Sequence, residues 1–123
     1  MNPALLEEIT KIFSQSTYAY RNYLAGGKTF RFAQELKLFN GAAFKLLIDH
    51  KSEFAEELQP HVEALIGHYR AWSDKWEELA SSKEHQPDDE FVFANEVVFP
   101  KEAAQQLEAA YERLNPPPAT PSN

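Results

Sequence analysis

The residues with the clearest potential for chemistry lie in a short glycine-containing segment. It reads Gly26-Gly27-Lys28-Thr29, and Arg31 follows two positions later. Free amide groups at the start of a helix, together with two cations, can hold a phosphate or a carboxylate. One hypothesis is therefore that Gly27, Lys28, Thr29 and Arg31 bind a small anionic ligand. The alternative is an ordinary turn between two helices.

This segment does not match a nucleotide-hydrolysing phosphate loop. That motif requires an additional glycine at position 22, where the chain has Asn22, and a β-strand before it. The residues before Gly26 instead follow a helical pattern, so we expect no nucleotide hydrolysis here.

Candidate metal ligands and nucleophiles do not form a recognisable set. The four histidines are His50, His61, His68 and His85. Glu57 and His61 are four residues apart, but no second pair has the Glu-x-x-His arrangement of di-iron helical bundles. The chain has no cysteine and no nucleophile-elbow motif. We therefore expect no metal, no cofactor and no enzymatic activity.

An acidic run that leads into aromatic residues is the second candidate site. Asp88, Asp89 and Glu90 directly precede a Phe-Val-Phe triplet that contains Phe91 and Phe93. Clustered charge of one sign speeds the docking of an oppositely charged partner, and apolar anchors prolong the contact. We predict that these five residues, within the segment 84–99, form a protein-binding edge. The alternative is that both phenylalanines are core residues and that the acidic loop is merely solvated.

The charge distribution is also consistent with a basic protein as the partner. The chain of 123 residues has a net charge of −7, with +3 in residues 1–51 and −10 in residues 52–123. The difference indicates either complementary charges between packed helices or an acidic face for a basic protein partner. A second copy of this chain, in a homodimer, is an alternative partner. Nucleic acid is not expected, because too few Lys and Arg residues are available to neutralise its phosphates.

Hydropathy and the first residues argue against a membrane or secretory protein. No apolar run approaches about 18 residues, and the acidic Glu7 and Glu8 follow closely after Met1. We expect a soluble, acidic protein located in the cytoplasm.

The elements that position these residues are predicted to be helices. The strongest helical pattern has spacings of three and four residues and includes both tryptophans: Val62, Leu65, Tyr69, Trp72, Trp76 and Leu79. It predicts a buried aromatic seam on a helix that begins at Pro60 and fades at Ser81-Ser82.

Two helices are predicted before that seam. Asn2 and Pro3 suit the start of the first helix, and Gly26-Gly27 ends it. Its pattern is interrupted by the polar residues 14–17. Thr29 is predicted to cap the second helix, in which Asn40-Gly41 suggests a kink.

The remaining elements are a short segment, an extended stretch and a last helix. Ser52 is predicted to cap the short segment, residues 53–59, and Pro100 to begin the last helix. The Phe/Val residues between 91 and 99 predict an extended strap or a short hairpin. The predicted fold is thus a mainly α, four-helix bundle-like domain over residues 1–114. Residues 115–123 are predicted to be a disordered proline-rich tail.

Overall fold

Helices dominate the computed structural model, which describes residues 2–92 and 98–114. The described residues form α1 (Pro3–Ala25), α2 (Phe30–Asp49), α3 (Gln59–Ser81) and α4 (Lys101–Leu114). The four helices form a ring in which α1 and α3 each contact both α2 and α4. The predicted mainly α, four-helix bundle-like fold is confirmed. The predicted tail, residues 115–123, lies outside the described residues.

The start of α1 forms as its sequence predicts. The Asn2 side chain accepts a hydrogen bond from the Ala4 amide at 3.0 Å, and Pro3 occupies the first helical position. Asn2 thereby satisfies one of the backbone donors that a helix leaves free at its N-terminus.

The end of α1 needs both of its glycines, for different reasons. A Cβ atom on Gly26 would lie 2.2 Å from the ring of Phe32, so only glycine fits beside that ring. Gly27 has a φ of +78°, and Lys28 follows with a φ of +57°. Glycine adopts this left-handed conformation without strain, which lets the chain reverse into α2.

The polar residues within α1 and α2 do not end either helix. Both helices are continuous, and a side-chain contact joins the two polar positions across their interface. The Ser16 hydroxyl donates a hydrogen bond to the side-chain oxygen of the buried Asn40. Since each group satisfies the other, the polar residues are accommodated between the helices without a break.

The connection between α2 and α3 differs from the predicted short helix. It consists of two 3₁₀ turns, Lys51–Glu53 and Glu56–Leu58, and Ser52 lies inside the first turn and not at its cap position. The Gln59 side-chain amide instead donates to the carbonyl oxygens of Lys51 and Phe54, at 2.8 and 2.9 Å. These bonds fix a folded connection that buries Phe54, and they supply the partners that a continuous helix would have provided.

The core has two parts, because α4 is much shorter than α1 and α3. The first part contains residues from all four helices, with Leu6, Ile9, Leu47, Leu65 and Leu107 fully buried. The second part contains residues of the first three helices together with Phe91: Ala19, Tyr23, Ala33, Leu36, Trp72, Trp76 and Phe91.

Phe91 takes the place that a fourth helix would have in the second part of the core. Its ring centroid lies 5.3 Å from those of Phe30 and Trp76 and 5.2 Å from that of His85. Phe30 in turn stacks on Trp76 at 5.9 Å. Phe91, a residue of a loop, therefore packs into the part of the core that contains no described residue of α4.

We predict that Trp72→Ala lowers the free energy of unfolding by about 3–5 kcal/mol, because Trp72 is only 7% exposed within this aromatic seam. Urea denaturation would measure the loss. Leu38→Ala is the matched control, since Leu38 is 67% exposed and its truncation should change stability by less than about 0.5 kcal/mol. A loss below about 1 kcal/mol for Trp72→Ala would contradict the buried seam.

Candidate interaction site

The two segments in which the sequence predicts candidate sites lie against each other. Thr29 and Glu90 form an isolated antiparallel β-bridge, which brings the turn between α1 and α2 against the acidic loop. The Phe91 amide donates to the Lys28 carbonyl oxygen at 2.8 Å, and the Phe30 amide donates to that of Asp89 at 2.8 Å. We name residues 26–31 and 86–91 together the turn–loop junction.

The N-terminus of α2 is capped by the loop and not by its own first residue. Thr29 occupies the capping position, but its side chain makes no capping hydrogen bond, so the predicted role of that side chain is wrong. The amides of Phe30 and Arg31 donate to the carbonyl oxygens of Asp89 and Pro87 instead, the latter at 2.9 Å. The loop thus satisfies donors that α2 itself leaves free.

Because the loop caps α2, fewer free backbone amides are available to the predicted anion site. Besides those two amides, the Lys28 amide donates to the Tyr23 carbonyl oxygen at 2.9 Å. The Arg31 guanidinium lies 3.3 Å from an Asp88 carboxylate oxygen. An anion at Gly27, Lys28, Thr29 and Arg31 stays a prediction, but several donors on which it depends have partners within the protein.

The acidic loop is held by its backbone while part of its charge faces solvent. Asp89 closes a tight turn, since its carboxylate accepts from the Gln86 amide at 2.8 Å and its own amide donates to the Gln86 carbonyl oxygen at 3.0 Å. Asp89 is therefore half-buried, whereas Glu90 is exposed and the Asp88 side chain is 88% exposed. The junction presents two accessible carboxylates on a fixed backbone.

Phe91 is a core residue, which corrects its predicted role as an accessible partner anchor. It is 2% exposed, and its carbonyl oxygen accepts a hydrogen bond from the Tyr23 hydroxyl. Burial is favoured here because α4 leaves this end of the aromatic core open. Phe93, the other predicted anchor, lies outside the described residues, as does the centre of the predicted strap or hairpin.

His85 is a junction residue that sequence reasoning missed. Its ring stacks on that of Phe30 at 5.0 Å, and its Nε2 lies 2.9 Å from the Leu79 carbonyl oxygen near the end of α3. The Nδ1 atom is buried and has no hydrogen-bond partner among the described residues. His85 therefore attaches the loop to α3 as well as to α2; no helical pattern around it signals this role.

His68 contacts Val98 and Phe99, the described residues that come shortly before α4. Its ring contacts that of Phe99 edge to face at 5.3 Å. Burial lowers the pKa of His68, and a hydrogen bond with the Val98 backbone partly opposes that shift. The imidazole is a packing element between α3 and the residues before α4.

Among residues 2–92 and 98–114, three ion pairs join the basic first half of the chain to the acidic second half. They are Arg31–Asp88 at 3.3 Å, Lys37–Glu77 at 2.7 Å and Lys51–Glu63 at 3.0 Å. Much of the charge asymmetry in the sequence is thus compatible with contacts within one bundle. All three pairs are partly exposed, so each contributes little to stability.

Two grooves lie near the opposite end of α2. A groove of about 680 Å³ and another of about 370 Å³ share Ile48 and Lys51 as lining residues. Both are open to solvent.

Within residues 2–92 and 98–114, no cluster of three His, Cys, Asp or Glu residues could hold a metal ion. None of the described helices combines the length and the hydrophobicity needed to cross a membrane.

Comparison of the chain with protein-family models, with curated proteins and with solved structures gave no match.

Because the junction amides already have partners, we predict that millimolar phosphate raises the melting temperature no more than a chloride salt of equal ionic strength. A ligand specific to the folded state would stabilise it by mass action. Differential scanning fluorimetry in both salts makes the comparison. A shift specific to phosphate that Lys28→Met abolishes would contradict this prediction and would support the anion site.

Proposed function

We propose that the protein is a non-enzymatic interaction module that docks a basic protein partner through the turn–loop junction. The observation that supports this proposal most is the fixed backbone of the acidic loop. Its hydrogen bonds with the Lys28 carbonyl and with the amides of Phe30 and Arg31 hold the loop in place. A loop that is already ordered loses little conformational entropy on binding.

The charge of the loop determines the kind of partner. Residues 84–90 contain four carboxylates, namely those of Glu84, Asp88, Asp89 and Glu90, and no Lys or Arg. Lys28 and Arg31 offset part of this charge from the neighbouring turn. A negative surface remains, and it would attract Lys- and Arg-rich protein surfaces over nucleic acid, whose phosphates it repels.

The non-enzymatic part of the proposal rests on where the acidic groups lie. Asp88 and Glu90 are exposed on the surface and do not line an enclosed cavity. General acid–base catalysis by carboxylates usually depends on burial that shifts the pKa of one of them. Exposed carboxylates on a rigid loop are better suited to long-range attraction. We also propose a cytoplasmic location, which a chain without cysteine fits.

We predict that Asp88→Asn combined with Glu90→Gln slows association with a basic partner recovered by pull-down, about three- to tenfold at low salt. The effect should shrink at physiological salt, because screening shortens the range of the charges. Asp89 is left unchanged, since its carboxylate holds the Gln86 amide. Surface plasmon resonance at several salt concentrations measures the rates.

The matched control is Glu108→Gln combined with Glu112→Gln. Both glutamates are exposed on α4, so this variant removes the same charge from another part of the surface. Its association rate should stay close to that of the unmodified protein. Equal slowing by both double variants, or by neither, would contradict a partner site at the junction.

A further inference from the structure

The chain just ahead of α4 packs into a small group of rings from two helices. The ring centroid of Phe99 lies 6.1 Å from that of Phe13 on α1. It also lies 5.3 Å from the centroid of His68 and 6.3 Å from that of Tyr69, both on α3. The rings of His68 and Tyr69 are themselves 5.1 Å apart. We name these four residues the Phe99 cluster.

His68 is the member of the Phe99 cluster that can change its charge near neutral pH. Burial raises the pKa of Tyr69, so its hydroxyl stays neutral. Burial lowers the pKa of His68, and the hydrogen bond with the Val98 backbone offsets only part of that effect. A proton therefore binds less readily to the packed imidazole than to an imidazole surrounded by water.

The surroundings of the His68 ring explain why its charged form is disfavoured. Its Nδ1 atom is buried and has no hydrogen-bond partner among the described residues. Both ring nitrogens are donors in the charged form, so Nδ1 would carry an N–H group with neither water nor an acceptor beside it. A ring that turns out to solvent avoids this cost, but it gives up its contacts with Val98 and Phe99.

The elements around His68 offer a charged ring little compensation. The positions one helical turn from His68 on α3, and one turn from Phe13 on α1, hold uncharged residues: Ala64, Leu65, Ala71, Trp72, Ile9, Thr10, Ser16 and Thr17. Residues 98–100 are also uncharged. Ionisable residues follow only two turns away on α3 or at the start of α4: His61, Lys75, Lys101 and Glu102. Glu96, the one ionisable residue of 93–97, lies outside the described residues, so the experiment includes a variant at that position.

We infer that His68 is a pH-sensitive latch, whose neutral ring holds residues 98–100 against α3 and whose protonated ring releases them. The closed latch is fully favoured above the ordinary histidine pKa of 6.5 and loses stability as the pH falls below it. Since one proton is taken up, the ratio of closed to open forms falls by at most about tenfold per pH unit. The latch does not depend on the partner proposed for the turn–loop junction.

Native-state hydrogen exchange of the full chain, from about pH 7.5 to about pH 5.5, tests the latch; this range stays above the carboxylate pKa values. The Lys101 and Ala104 amides report on it, because they donate to the carbonyl oxygens of Phe99 and Pro100, at 2.9 and 3.2 Å. Their protection factors, which correct each rate for the intrinsic effect of pH, should fall by about three- to tenfold. The Leu47 amide on α2 should keep its protection.

Two variants remove the titration of His68 in different ways. His68→Phe keeps an aromatic ring beside Phe99, and His68→Gln keeps a hydrogen-bond donor, so a folding defect in one leaves the other for the test. In both variants the protection of the Lys101 and Ala104 amides should no longer depend on pH over this range. His61→Gln is the matched control on the same helix and should leave the fall unchanged. A fall that persists in both His68 variants, or that disappears in His61→Gln, would overturn the inference.

Three further outcomes would overturn the latch. The first is constant protection of the Lys101 and Ala104 amides in the unmodified protein. The second is a rise in their protection on acidification that Glu96→Gln removes, because a carboxylate would then stabilise the protonated ring. The third is an equal fall at the Leu47 amide, which would show that acid unfolds the whole bundle and does not release residues 98–100 alone.

Discussion

The backbone pairing at the turn–loop junction is the constraint on which this end of the molecule depends. A helix leaves its first amides without partners inside the helix, and the side chain of Thr29 does not supply one for α2. Carbonyl groups from residues 87 and 89 take that role, and the Phe91 amide returns a hydrogen bond to Lys28. The same few bonds thereby cap a helix, order an acidic loop and place Phe91 at the core.

The burial of Phe91 follows from the lengths of the helices. A bundle with one short helix leaves apolar surface on its longer neighbours, and that surface must be covered or remain exposed. Phe91 covers the inner part, against Phe30 and Trp76. The outer part, at Tyr20 and Leu24, remains half exposed. The burial of Phe91 thus follows from the mismatch in helix length.

Much of the fold can be predicted from the sequence because its signals are local. Three such signals act over only a few residues each: the seam around Trp72 and Trp76, the cap at Asn2 and the glycines after α1. The junction is different, because its hydrogen bonds join residues about 60 positions apart and use backbone groups, which carry no sequence signature. Thr29 has the right residue type for a cap, yet a distant loop supplies the partners. Likewise, the β-prone run around Phe91 leaves open whether its ring is exposed or buried, and the shortness of α4 accounts for its burial.

Native-state hydrogen exchange of the Phe30, Arg31 and Phe91 amides tests the central role of the junction most directly. All three should be protected in the unmodified protein. In Phe91→Ala they should lose protection together, while the amides of Leu47 and Leu65, in the part of the core that includes α4, keep theirs. Exchange of the three amides at the rate of an unstructured chain in the unmodified protein would contradict the account. Undiminished protection of Phe30 and Arg31 in Phe91→Ala would contradict the link between the core and the loop.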